Sequence, residues 1–280
     1  MNLINIHFLS FTNRKFLLKT SCLLILILSA FFPRLQAKSI TQSSAGKYDG
    51  QIHSDAEALV HEWLYNYYEK PTRPVIEMAT EELTAMVEKF KHRKKRYSSE
   101  EQWLEDIFYQ VHRKYLKRYQ SFSTLPDLFE RGTYDCVSGT ALYALICELL
   151  YIPYAIRETE YHVYLMALVD GKKVLIESTD SMYGFVSQPD TVQNLIKIYH
   201  TDNVSKDMKW PANSSVDWVQ LAGLQYFNKA VQYYNDKKFS SALSYLDKAM
   251  QYYSSARITT FRAHILQLTD SYANVRHGVL

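Results

Sequence analysis

Three side chains in the middle of this 280-residue chain are of the types that acyl transfer needs: Cys136, His162 and Glu177. A thiolate attacks a carbonyl carbon, an imidazole moves the proton, and a carboxylate orients the imidazole and stabilises its charge. Cys136 opens the run CVSGTALYALICELL, residues 136 to 150, which predicts a helix buried on most sides and stopped by Pro153. Asp135 or Thr133 is available as its N-cap. A thiol at that position meets the positive end of the helix dipole and free backbone N–H groups. Both favour the thiolate, and the same N–H groups can donate to an oxyanion. His162 is the only histidine between Cys136 and His200, and it stands near the start of a predicted strand.

Those side chains meet only if the chain brings a helix start and two strand ends together. Three short runs follow Pro153: Tyr154 to Glu158, Tyr161 to Val169, and Lys173 to Ser178. The last two flank Asp170-Gly171, a strong hairpin signal. Antiparallel pairing about that turn sets residues near 163 opposite residues near 178, which makes His162 and Glu177 cross-strand neighbours on one face. Apolar residues at successive positions of the Tyr161 to Val169 run predict a sheet covered on both sides. Upstream, three amphipathic segments read as helices. One runs from Ser54 to before Pro71, one opens at Pro74 and closes in the basic run 91–96, and one starts at Ser98 or Ser99. Ser98 with Glu101 fits a capping box, and a loop containing Pro126 leads toward Cys136.

The order of a cysteine at a helix start, a histidine on a strand and an acid one hairpin later resembles the transglutaminase-like branch of the papain-type cysteine protease superfamily. The segments that carry the resemblance are GTYDCVSGTALYALICELLYIPY (132 to 154) and TEYHVYLMALVDGKKVLIESTD (159 to 180), with the helices before them. It implies an α+β fold with a papain/transglutaminase-like core, in which N-terminal helices and a cysteine-bearing helix pack on an antiparallel sheet. It also implies Cys136, His162 and Glu177 as the catalytic residues. The family usually carries aspartate, in an Asp-x-Thr context, where this chain reads Glu177-Ser178-Thr179; Asp180 is the reserve acid.

The ends of the chain read differently. Residues 1 to 37 hold Arg14, Lys15, Lys19 and Arg34 but no acid, around an apolar run from Cys22 to Phe32 that is too short for the ~30 Å of a bilayer core. This predicts a signal peptide over 1–37, cleaved after Ala37, with a retained anchor as the alternative. A flexible leader over 38–50, a transglutaminase-like domain over 51–212 and a helical tail over 216–280 follow. In the tail, Tyr226, Ala230, Tyr233, Ala242, Leu246 and Ala249 fall at tetratricopeptide-like spacings, although a plain helical hairpin fits as well.

The whole chain has a formal charge of +3, but without residues 1–37 it holds 28 basic and 29 acidic residues. That balance gives no electrostatic footprint for nucleic acid. Eight glycines, with neither G-x-G-x-x-G nor a P-loop, argue against a nucleotide cofactor, and neither C-x-x-C nor H-E-x-x-H is present to hold a metal. Cys136 and Cys147 on one helix stand ~16 Å apart, beyond the ~7 Å a disulfide spans, so Cys147 reads as a core residue. The expected protein is exported to the periplasm or beyond, with no transmembrane span after cleavage. Its expected partners are a protein or peptide substrate and a protein docked on the helical tail. Two functions stay open: thiol-dependent acyl transfer on amide bonds, hydrolytic or transamidating, and a non-catalytic envelope binding or scaffold role for the same fold.

Overall fold

The described residues ahead of Cys136 are largely helical because their apolar residues recur every three or four positions. In the computed structural model of the protein, residues 58–64, 72–159, 162–201 and 214–276 are described. The segments expected as signal peptide and leader lie outside them. Helix α1 (residues 58–64) buries Val60, Trp63 and Leu64, and α2 (Arg73–Arg93) carries Pro74 in its first turn. Helix α3 (Glu100–Lys114) is capped by Ser99, whose side chain accepts the Gln102 N–H at 3.1 Å. Ser98 is not the cap; its hydroxyl donates to the Gln102 side chain instead. The segment read as a loop around Pro126 forms α4 (Leu125–Arg131). Thr124 and Asp127 close a capping box there, and proline in the first turn gives up only an N–H that would have no helical partner.

Strand β1 (Arg118–Tyr119) pairs in parallel with β2 (Thr133–Tyr134), and β2 runs straight into α5 (Cys136–Leu149). Five strands then form one antiparallel sheet: β3 (Tyr154–Glu158), β4 (Val163–Val169), β5 (Lys172–Ile176), β6 (Phe185–Val186) and β7 (Ser214–Val216), in the order β6-β5-β4-β3-β7. The β4–β5 turn has Asp170 at φ 50° and Gly171 at φ 70°, the left-handed pair that a two-residue hairpin demands. The sheet is covered on both faces, as expected. Val163, Leu165, Ala167, Val174 and Ile176 pack toward α5 in the main core. Tyr164, Met166, Leu175 and Val186 pack on the opposite face under α6 (Pro189–Thr201), through Val192.

The chain closes with α7 (Trp218–Asn235), α8 (Phe239–Tyr252) and α9 (Ala256–Arg276). Tyr226, Ala230, Ala242, Leu246 and Ala249, five of the six repeat-like positions, form a second buried cluster with Ile258 and Ile265. Helix α7 also belongs to the main core. Leu221, Ala222 and Leu224 are buried in it, and Trp218 stacks on Trp63 at 5.4 Å between ring centroids. Burying each of those leucines contributes on the order of 2 kcal/mol. The result is an α+β architecture of nine helices and a five-stranded antiparallel sheet among the described residues. No helix of the described residues is long and apolar enough to cross a membrane.

Candidate active site

Cys136 is the first residue of α5 and is partly exposed, while Cys147 is buried deep in the same helix. Asp135 is the cap, rather than Thr133. Its carboxylate accepts the Ser138 N–H at 2.8 Å, and the Ser138 hydroxyl oxygen accepts the Asp135 N–H at 2.9 Å. This reciprocal pair fixes where the helix starts and so where the thiol sits. The other Asp135 oxygen accepts from Asn228 of α7 at 3.0 Å. Burial pushes the Asp135 carboxyl up to about 6, and the bonds from Ser138, Asn228 and Val137 offset part of that cost.

His162 directly precedes β4, and Glu177 directly follows β5. The register pairs Leu165 with Ile176. Extended by one step, it sets Tyr164 opposite Glu177, so His162 and Glu177 are diagonal neighbours on the same face. The His162 Nε2 and Glu177 Oε2 form a hydrogen-bonded ion pair. Thr159 pins the His162 backbone, its hydroxyl accepting the His162 N–H at 3.1 Å. The other Glu177 oxygen accepts from the Thr179 N–H at 2.9 Å and the Thr179 hydroxyl at 2.6 Å. Asp180 does not serve His162; its carboxylate accepts the N–H groups of Met182 and Tyr183, within its own turn.

Nε2 is committed to Glu177, and His162 also feels Cys136. Burial opposes the imidazolium charge, yet the Glu177 carboxylate and hydrogen bonding and charge from Cys136 outweigh it and raise His162 to about 10. Burial likewise opposes ionisation of Glu177, but the His162 charge and the bonds from His162 and Thr179 hold its carboxyl below the usual range. An imidazolium–carboxylate pair thus stands beside the thiol. Burial pushes Cys147 up to about 12 and keeps it a thiol.

Helix α5 is fastened to this pair at two points. The Thr140 hydroxyl donates to the Val163 carbonyl at 3.2 Å, one residue past His162. Gly139 lies against Ser178, one residue past Glu177, so closely that a Cβ would come within 2.7 Å of Ser178 Oγ. Only glycine permits that approach.

Three residues near the pair escaped the sequence reading. Tyr199 of α6 donates its hydroxyl to Glu177 Oε2 at 3.1 Å and packs its ring 5.4 Å from that of His162. The spacing Val192, Leu195, Ile196, Tyr199 is an i, i+3, i+4, i+7 pattern that announces α6 and its buried face. Tyr119, 53% exposed at the end of β1, packs edge-on against Tyr134. Although the residue as a whole is half exposed, partial burial of the phenol, then the charges of Cys136 and Asp135, push it up to about 12. Behind the site, His112 of α3 is enclosed by Phe108, Tyr134 and Tyr143, and neither of its ring nitrogens has a hydrogen-bond partner among the described residues. Burial drives its pKa down to about 4.

Compared with known protein families, curated proteins and solved structures, the chain has no significant match. Among the described residues no group of histidine, cysteine and carboxylate side chains is arranged to hold a metal ion.

Proposed function

We propose that the protein is a thiol-dependent acyl-transfer enzyme acting on amide bonds, built on a papain/transglutaminase-like core. The observation that carries this reading is the placement of His162 between Glu177 and Cys136, with the cysteine at a capped helix start. A buried ion pair placed by chance would have no reason to abut the partly exposed thiol of the two described cysteines.

In the proposed reaction the Cys136 thiolate attacks the amide carbon, and the carbonyl electrons move to oxygen. Asp135 takes the N–H groups of Val137 and Ser138, and its carbonyl takes that of Gly139. The Cys136 N–H, at the first position of the helix, is then the backbone donor for the oxyanion. Collapse of the intermediate breaks the C–N bond, and the imidazolium of His162 gives its proton to the departing amine. The thioester is released when water or a second amine attacks, with His162 taking the proton of the incoming group and the thiolate leaving. Water gives hydrolysis and an amine gives transamidation. Glu177 keeps the imidazole oriented throughout and stabilises it whenever it carries the proton.

The basic flank and short apolar run of residues 1–37 support export, and the substrate on this reading is a protein or peptide met outside the cytoplasm. Incubating the protein with a peptide-based electrophile at pH 7 tests the mechanism. A covalent adduct on Cys136 that is abolished by His162→Ala is expected. An unmodified Cys136 would leave the scaffold role, in which the same fold binds without turnover.

A further inference from the structure

We propose that Tyr199 is a positioning residue: its hydroxyl fixes the Glu177 carboxylate in the orientation that serves His162, and its ring closes that side of the pair to water. The catalytic consequence rests on the acyl-transfer reading, but the positioning itself does not. Glu177 would otherwise be loosely held. A glutamate has one more rotatable bond than an aspartate, and each carboxylate oxygen must be fixed for the second to meet the imidazole squarely. Thr179 fixes Oε1 with two bonds, and Tyr199 fixes Oε2 at 3.1 Å while His162 occupies its other lone pair. All four bonding directions of the carboxylate are therefore assigned.

The ring adds a second role. Tyr199 lies 5.4 Å from the His162 ring and 5.2 Å from that of Tyr164, so three rings form a wall on the α6 side of the sheet. Val192 packs in the apolar cluster beneath, with Leu195 and Ile196 beside it, so the helix that carries Tyr199 is anchored by burial rather than by the tyrosine alone. Burial and the neighbouring Glu177 charge keep the phenol protonated and so a donor at all working pH. The other titratable groups around the pair are Cys136, Tyr119, Tyr134, Tyr164 and His112, and Asp180 adds its charge on the Tyr199 side. Among the described residues, Tyr199 and His162 are the side chains that hydrogen-bond Glu177 Oε2.

Two variants separate the hydroxyl from the ring. Tyr199→Phe keeps the ring and removes the donor, so the Glu177 carboxyl should protonate at higher pH. The midpoint of its side-chain carbon resonance is expected to rise by about half a unit to one unit. Tyr199→Ala opens the wall, and the downfield resonance of the proton shared by His162 and Glu177 should vanish by exchange with water while surviving in Tyr199→Phe. The inference is overturned if Tyr199→Phe leaves the Glu177 midpoint in place, or if the alanine variant keeps the protected resonance. A drop in melting temperature alone, with both resonances unmoved, would also overturn it, because that is ordinary packing. Both resonances are read without any reaction at Cys136, so an unreactive thiol would count against the acyl-transfer reading and leave this test intact.

Discussion

At the scale of single residues, the site is a thiol beside a charged pair, and its pH behaviour follows from that. His162→Ala removes the imidazolium that stabilises a thiolate, so alkylation of Cys136 at pH 7 should slow about ten-fold, as expected for a cysteine reverting toward ordinary reactivity. Glu177→Gln should give a smaller loss, and the double variant little more than His162→Ala, because residues acting as a unit are not additive. Alkylation rates across pH 5 to 9 check all three. The pair also links folding to pH. His162 is raised from about 6.5 unfolded to about 10 folded, so its contribution is complete below pH 6.5 and is lost as pH rises toward 10. Urea melts of the parent protein should show that loss, and melts of His162→Ala should not. His112 works the other way. Its folded value of about 4 lies below the unfolded one, so the unfolded chain takes up a proton first, and stability falls between pH 6.5 and 4 by roughly 3 kcal/mol. His112→Leu should flatten that acid limb.

At the scale of elements, one helix must be held against the ends of two strands, and the contacts that do so are few. Gly139→Ala would drive a methyl into Ser178, and either α5 or the Glu177 segment must shift. The expected cost is ~1–3 kcal/mol in stability, with slower Cys136 labelling at a pH and temperature where the variant is still folded. Asn228→Ala leaves one oxygen of a buried carboxylate without its donor, for a comparable ~1–3 kcal/mol in a denaturant melt. Elements with a local signature were legible in the sequence. Asp170-Gly171 announces its turn, the valine- and leucine-rich runs their strands, and the register that brings His162 to Glu177 follows from counting back from that turn. Helix α4 was masked by Pro126, whose helix-breaking reputation does not apply in a first turn. Glu177 was legible by that counting, but what holds it was not, because Thr179 and Tyr199 fix its carboxylate and Asp180 is spent within its own turn. Nor was the Asn228 contact, which joins residues 93 positions apart.

At the scale of the whole molecule, the C-terminal helices share the core that supports the site. Strand β7 pairs with β3, Leu221 and Leu224 fill the main core, and Gln225 ties α7 to the segment before α4 through the Ser123 carbonyl at 3.0 Å. Glu158, fully buried on β3, meets Arg257 and accepts the Tyr253 hydroxyl at 2.7 Å. A buried carboxylate with its partners removed is costly, so each side of this junction needs the other. Residues 216–280 expressed alone should therefore give a non-cooperative melt; a sharp transition would show that the helices fold without the sheet. The central claim is that, of the two cysteines among the described residues, Cys136 is activated and Cys147 is inert. Labelling the folded protein with iodoacetamide from pH 5 to 9, and reading both cysteines by mass spectrometry, tests it most directly. The account predicts fast modification of Cys136 at neutral pH, dependent on His162, with Cys147 untouched until the protein is denatured. Equal modification of the two thiols, or a Cys136 rate that is indifferent to His162→Ala, would contradict it.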